Sequence, residues 1–391
     1  MRGLRWVPLL LFVLLNPLGL LGQGPGQPKD KADLSKTQGE IDGRGLDEWV
    51  RDLGHVDASI REEALRAMML FGKDASTDKI IDTVLNRTLD KDVSPRNRAL
   101  QALTALDIPP TMLPKVLTKV AIRLTSDSEA SVKLQAAQTL HYLTVAAIED
   151  DRDNKPFAKQ ALTYLAETAT PALISGAKDM NSWEIRRAAV LAIGDLGRAR
   201  DKEPPDPNCV RALLTSVKDT TFQVRMESVR SLGKLGKPGD PALAAAVEAE
   251  LRRLAQDKDK VVSIWAWMSL MCVTEINPDA VKAITSLMQD KEARIRNASI
   301  RALTQIGEHA HFAVPELTKL LKDPDLGVQV SAIHALCDIL DRPNAVAIGG
   351  LQALADDKEA KKELKRLAAD AIEFIRAGKK MVDKPDPEKK K

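Results

Sequence analysis

The stretch KDTTFQVRMESVRSLGKLG, residues 218–236, is a charged lead-in followed by one amphipathic helix, and QDKEARIRNASIRALTQIG, residues 289–307, says nearly the same thing again. The shared frame is an apolar residue, a basic one, a small residue three further on, another at six, and a large aliphatic at seven. It occurs nine times. The leading pairs are Ile60–Arg61, Pro95–Arg96, Val132–Lys133, Ile185–Arg186, Val224–Arg225, Val262–Ser263, Ile295–Arg296, Val328–Gln329 and Leu364–Lys365. The position three beyond the second member is always Ala or Ser; the one six beyond is Ala, Ser or Thr; the one seven beyond is Met, Leu or Ile. Self-similarity at spacings of 33 to 53 residues is the signature of a stacked array.

The i, i+3, i+7 spacing puts these residues on one helical face, and small side chains at successive turns let a neighbouring helix come close. A shorter apolar helix precedes each of these, as in NCVRALLTSVKD (208–219), DAVKAITSLMQD (279–290) and FAVPELTKLLKD (312–323). Each repeat is therefore a hairpin of an A helix and a B helix, and one hairpin cannot bury its apolar faces alone. The expected fold is all-α, an α-solenoid of about nine hairpins over residues 45–376. Aromatics make up only 3% of the chain, which suits cores of Ala, Leu, Ile and Val.

Hairpins of this length with Asp-x-x-x-x-Val-Arg-x-x-Ala-x-x-Ala-Leu resemble HEAT repeats, in the form called phycobilisome-lyase HEAT-like. The resemblance covers roughly residues 45–376. It implies a right-handed superhelix, a concave face lined by B helices, and a ladder in which an Asp six before the Arg joins successive repeats. Asp90, Asp127, Asp219, Asp257, Asp290 and Asp323 occupy that position, with Glu359 as a substitute, and Asp219, Arg225, Asp290, Arg296, Asp127 and Arg186 are assigned to the ladder as structural residues. A carboxylate or hydroxyl four before the basic position suits a helix N-cap: Asp57, Asp92, Ser182, Thr221, Asp259 and Asp325. Ser263 and Gln329 replace the basic residue, so their rungs should be weaker.

The remaining segments are read from composition. Residues 1–22 carry Arg2 and Arg5 and then an apolar run broken by Pro8, Asn16 and Pro17, the pattern of a secretory signal peptide. This predicts an exported protein, periplasmic, in the cell envelope or secreted, with no stable membrane span once the signal is removed. An uncleaved N-terminal anchor is the alternative. Residues 23–44 read as a flexible linker and 377–391 as a basic disordered tail. AIEDDRDNKPFAKQ (147–160) reads as a charged loop before a long A helix interrupted at Pro171, and RARDKEPPDPN (198–208) as a second insertion. The net charge is +3, and −3 over residues 23–375, which argues against nucleic acid. Cys209, Cys272 and Cys337 are odd in number and lie in apolar helical patterns, so they read as packing residues, not as a disulfide framework.

A function must lie on the B-helix positions that face away from the core. VVSIWAWMSLMCV (261–273) is apolar nearly all round, which predicts that Trp265 and Met268 face the groove beside Arg230 and Arg301 and form a peptide-binding patch, while Trp267 packs in the core. His309 and His311 lack further metal ligands nearby, and EDDRDN (149–154) lacks the glycine and terminal Glu of a calcium loop. No phosphate-binding, dinucleotide or hydrolase motif occurs, no His-Glu dipeptide of the di-iron HEAT hydroxylases occurs, and no cofactor is expected. The reading is an exported, non-catalytic scaffold that binds a protein or peptide partner on its concave face. The alternative is a lyase-like or accessory enzyme acting on a protein-bound group.

Overall fold

The computed structural model describes residues 39–198, 204–274 and 278–378. The expected signal peptide, most of the linker, the middle of the second insertion and nearly all of the tail lie outside them. Among the described residues eighteen α-helices follow one another in A/B order: α1 (Leu46–Asp52) and α2 (Ala58–Phe71), α3 (Asp78–Arg87) and α4 (Val93–Ala105), α5 (Leu113–Ser126) and α6 (Ala130–Arg152), α7 (Ala158–Gly176) and α8 (Trp183–Arg198), α9 (Pro207–Ser216) and α10 (Phe222–Leu235), α11 (Pro241–Leu254) and α12 (Lys260–Val273), α13 (Pro278–Leu287) and α14 (Ala293–Thr304), α15 (Val314–Lys319) and α16 (Leu326–Ile339), and α17 (Ala345–Asp356) and α18 (Lys362–Ala377); apart from α11 and α12, the two members of each pair pack on one another. They fall into two compact units, residues 39–247 and 248–378, divided inside α11.

In the first unit the B helices pack in chain order, α2 on α4, α4 on α6, α6 on α8 and α8 on α10; in the second, α12 packs on α14, α14 on α16 and α16 on α18. All nine repeat frames lie in B helices, and the small residues at three and six are buried without exception, Ala64 through Ala371. Their size sets the helix spacing. Thr139 Oγ1 donates to the Leu100 carbonyl at 3.0 Å, and Ser231 Oγ to the Val190 carbonyl at 3.2 Å, so a hydroxyl at the sixth position reaches the backbone of the preceding B helix.

Four Arg–Asp contacts join successive repeats. Arg61 grips Asp90 (2.6 and 2.8 Å), Arg96 grips Asp127 (3.1 Å), Arg186 grips Asp219 (2.6 and 3.1 Å) and Arg296 grips Asp323 (2.6 and 2.7 Å). The other arm of each Arg donates back to turn carbonyls of its own repeat, as Arg225 does to Asp219 O and Thr220 O, both at 3.0 Å. Each Asp also accepts the N–H two residues on, for example Thr221 N at 2.8 Å. One guanidinium thus ties its own turn to the next repeat's turn. Three substitutions are made by chemistry the frame did not anticipate. Asp179, seven before Arg186, takes the fourth repeat's role and binds Lys133 at 3.3 Å. Asp357, not Glu359, closes the last turn by accepting Glu359 N at 3.0 Å. Where Ser263 replaces Arg, Lys260 reaches Asp290 at 2.5 Å instead.

Asp57, Asp259, Asp325 and Ser182 cap their helices through the side chain. Asp92 and Thr221 stand at N-caps without doing so, and the Asp92 carboxylate takes Arg61 at 2.7 Å instead. The segment 147–152 is not a loop: α6 continues through Arg152, and the connection is only residues 153–157. Pro171 lies inside an unbroken α7. The end of the expected linker is ordered as a hairpin, Glu40–Ile41 with Arg44–Gly45, around Asp42 (φ 51°) and Gly43 (φ 71°), the Asp-Gly turn that needs left-handed backbone. Trp49 Nε1 donates to Ile41 O at 3.2 Å and Arg44 covers its ring at 3.9 Å, so the hairpin closes the first helix. None of the helices described is long and apolar enough to cross a membrane.

Candidate protein-binding face

The expected patch is not where the sequence placed it. Trp265 is 5% exposed and Met268 1% exposed, with Cys272 Sγ against the Met268 sulfur at 3.5 Å. Helix α12 is apolar all round and is covered, which is what such a helix requires. Trp267 is the half-exposed indole. It stands where most other repeats bury Leu, Ile or Val, and an indole is too large to disappear there. Arg230 belongs to the first unit, while Trp265, Met268 and Arg301 belong to the second. Arg230 is half-buried and directed at Glu227 (3.4 Å), and Arg301 is exposed. His311 faces Asp341 at 3.4 Å, and no cluster of three metal-ligating side chains occurs among the described residues.

The outward B-helix positions of the first unit do converge, over α6, α8 and α10. A cleft of about 230 Å³ lies between α6 and α8. Leu134, Gln138 and His141 line one side; Trp183, Glu184, Arg187, Ala188 and Leu191 line the other. Leu134, Gln138 and His141 are one, five and eight positions beyond Lys133, and Arg187 and Leu191 are one and five beyond Arg186, so the repeat frame itself aims them outward. Trp183 is the first residue of α8, where a side chain is not tied to the core stripe.

Polar groups are fixed across three consecutive B helices at the cleft's end. Asp195 on α8 receives His141 Nε2 of α6 at 2.8 Å and Lys234 Nζ of α10 at 2.8 Å. Burial alone would raise this carboxyl; the Lys234 charge and the His141 hydrogen bond outweigh it and hold it far below the ordinary carboxylate range. A second carboxylate, Glu227 of α10, is 1% exposed and lies between Arg230 (3.4 Å) and Arg187 of α8 (3.7 Å). These links fix the cleft's polar end and its Arg187 wall. An aromatic edge, aliphatic walls, one Arg and one oriented imidazole suit a peptide with mixed side chains. Arg230 and Lys234 stand five and nine positions beyond Arg225, and His141, Asp195 and Glu227 stand eight, nine and two beyond the basic positions of their own repeats, all outward places of the frame. What the sequence does not show is how Asp195, His141 and Glu227 pair, because their partners are 54, 39 or 40 residues away and each pairing occurs once.

The HEAT-repeat family profile matches residues 170–270 and 271–337. This chain carries HEAT repeats. The phycocyanobilin lyase subunit alpha of Picosynechococcus sp. is 29% identical over an alignment covering 37% of this chain and 55% of the relative, so the chain spans about half the length of that curated protein. Among solved structures, a chain in the complex through which Kap95p binding alters the switch loops of RanGDP superposes with a TM-score of 0.54 at 12% identity, covering 84% of this chain and 47% of that one. That likeness concerns the all-α solenoid fold. The complex of CpcE and CpcF of phycocyanin lyase from Nostoc sp. PCC7120 gives a TM-score of 0.37 at 19% identity, covering 66% and 86%.

Proposed function

We propose that this protein is an exported, non-catalytic scaffold that holds an extended segment of a partner protein on the B-helix face of its first unit. The observation that carries the reading is the cleft between α6 and α8, where Trp183 and Arg187 stand over aliphatic walls while the His141–Asp195–Lys234 and Arg187–Glu227 links span the neighbouring helices. Trp and Arg at a recess are the residue types that dominate binding energy at protein interfaces. Export rests on the signal-like composition of residues 1–22.

The test places a photo-crosslinking residue at Gln138 in the full chain in its native cell. One discrete adduct should form, and Trp183→Ala with Arg187→Ala should lower its yield at least tenfold, since hot-spot truncations cost about 2 kcal/mol or more. An adduct insensitive to both substitutions would reject the B-face placement. The lyase-like reading draws on the resemblance to the phycocyanobilin lyase subunit. A chromophore absorbance band copurifying in stoichiometric amount would favour it over the scaffold.

A further inference from the structure

A second recess lies on the A-helix side of the first unit, formed by different helices and different chemistry. Helices α7 and α9 touch only lightly, whereas α7 packs closely on α5, and a trough of about 510 Å³ opens between them. Its floor is Pro171, Ile174 and Ala212. Thr170, Thr215 and Asn208 add polar groups, and Lys178 and Arg211 supply two exposed cations. The lining contains no carboxylate. Of the acids near it in sequence, Glu167 is exposed one turn before Pro171, while Asp179 is engaged with Lys133, Asp219 with Arg186, and Asp206 as the cap that accepts Asn208 N at 2.7 Å. Elsewhere in this chain most arginines of the first unit are tied to a carboxylate or a turn carbonyl, so this pair is set apart by its surroundings.

We propose that this trough binds an acidic, partly apolar peptide segment of a partner protein. On α9 the lining runs from Asn208 to Thr215, which is roughly 11 Å of helix at 1.5 Å per residue. The repeat aligns PALISGAKD (171–179) with RALLTSVKD (211–219), which sets Lys178 level with the end of α9 and about 10 Å beyond Arg211. A polyproline II segment has three residues per turn and rises about 3.1 Å per residue, so its positions i and i+3 share one side at about 9 Å. Two acids at that spacing meet both cations, and the two residues between them rest on Pro171, Ile174 and Ala212. A lone small anion gains only one cation and none of the apolar floor.

The probe is fluorescein-labelled Gly-Asp-Pro-Leu-Asp-Gly, titrated into the full chain by fluorescence anisotropy. Saturable binding is expected, with at least a tenfold loss when both acids become Asn and at least a tenfold loss in the Lys178→Glu, Arg211→Glu double variant. Both positions are exposed, and binding of Gly-Lys-Pro-Leu-Lys-Gly by that double variant shows it is folded and the charges are what is read. Trp183→Ala, which disables the B-face cleft, should leave the affinity within twofold. Equal binding by the Asn peptide, no effect of the double reversal, loss in Trp183→Ala, or full competition by equimolar inorganic phosphate would each overturn the proposal.

Discussion

The rung residues behave as a buried ion pair whose removal is costly on one side only. In Arg61–Asp90 the side chains are 4% and 2% exposed, and Arg61 also donates to the carbonyls of His55 and Val56 at 2.8 Å. Deleting the Arg leaves the Asp in a poorly solvated turn with only Arg87, at 3.2 Å, and the Asp92 N–H, at 3.1 Å, as compensation. Arg61→Ala should therefore destabilise the first two hairpins by about 3 kcal/mol, the lower end for a broken buried pair. Asp90→Ala added to it should recover part of the loss, because the stranded charge goes too. Denaturant titration with amide exchange in α2 and α4 measures both; a cost under about 1 kcal/mol for Arg61→Ala would show the rung to be ornamental. The sequence exposed this layer well because the same Asp and Arg recur at one spacing. It concealed Asp179, Asp357 and the Lys260–Asp290 contact, since each shifts the group by one to three positions while keeping the carboxylate at the turn.

At the scale of elements, helix spacing is set where Gly194 of α8 faces Ser231 of α10. A Cβ at Gly194 would lie 2.6 Å from the Ser231 Cβ and 3.1 Å from its Cα, which is backbone and cannot swing aside. Gly194→Ala gains helix propensity of about 1 kcal/mol and loses more to overpacking, typically 1–3 kcal/mol. The expected result is a net loss of stability, and the Ser231 hydroxyl bond to Val190 O should break with it. Combining the change with Ser231→Gly should recover part of the loss, since the 2.6 Å contact goes while the one to the Cα at 3.1 Å stays. A stabilised Gly194→Ala would mean that α8 and α10 are not closely apposed. The B-helix frame was legible because small residues at two fixed positions serve a single packing geometry. The faces of α12 were not, because a helix apolar all round carries no period from which to tell Trp265 from Trp267. The length of α6 was likewise masked by charge: Glu149, Asp150 and Asp151 look like a loop but ride on a continuing helix.

For the molecule as a whole, the repeated carboxylates predict how it responds to acid. Burial alone would raise Asp90, Asp179 and Asp219; in each, hydrogen bonds prevail and depress the carboxyl, led by Arg61 at Asp90, the Asn181 N–H at Asp179 and Arg186 at Asp219. Asp195 is depressed further by Lys234 and His141. A carboxyl whose folded pKa lies below its unfolded value stabilises fully above the unfolded value, about 4, and loses that contribution as the pH falls through the folded one. Stability should thus be unaffected by these four groups between pH 7 and about 5 and fall steeply below about pH 4. The partner arginines Arg61, Arg186 and Arg296 are raised, so their contribution is complete below their ordinary value and is lost only at extreme alkalinity. Because the rungs recur along the array and each joins two repeats, protonation should loosen neighbouring hairpins together. Denaturation midpoints at intervals from pH 7 to pH 2.5 test this, with Asp219→Asn as the reference that removes one titrating rung. The variant should be less stable than wild type at pH 7, and the gap should narrow as the wild-type carboxylate protonates below pH 4. A gap that stays constant down to pH 2.5, or a wild-type decline already under way at pH 6, would place the stabilising charge somewhere other than the ladder.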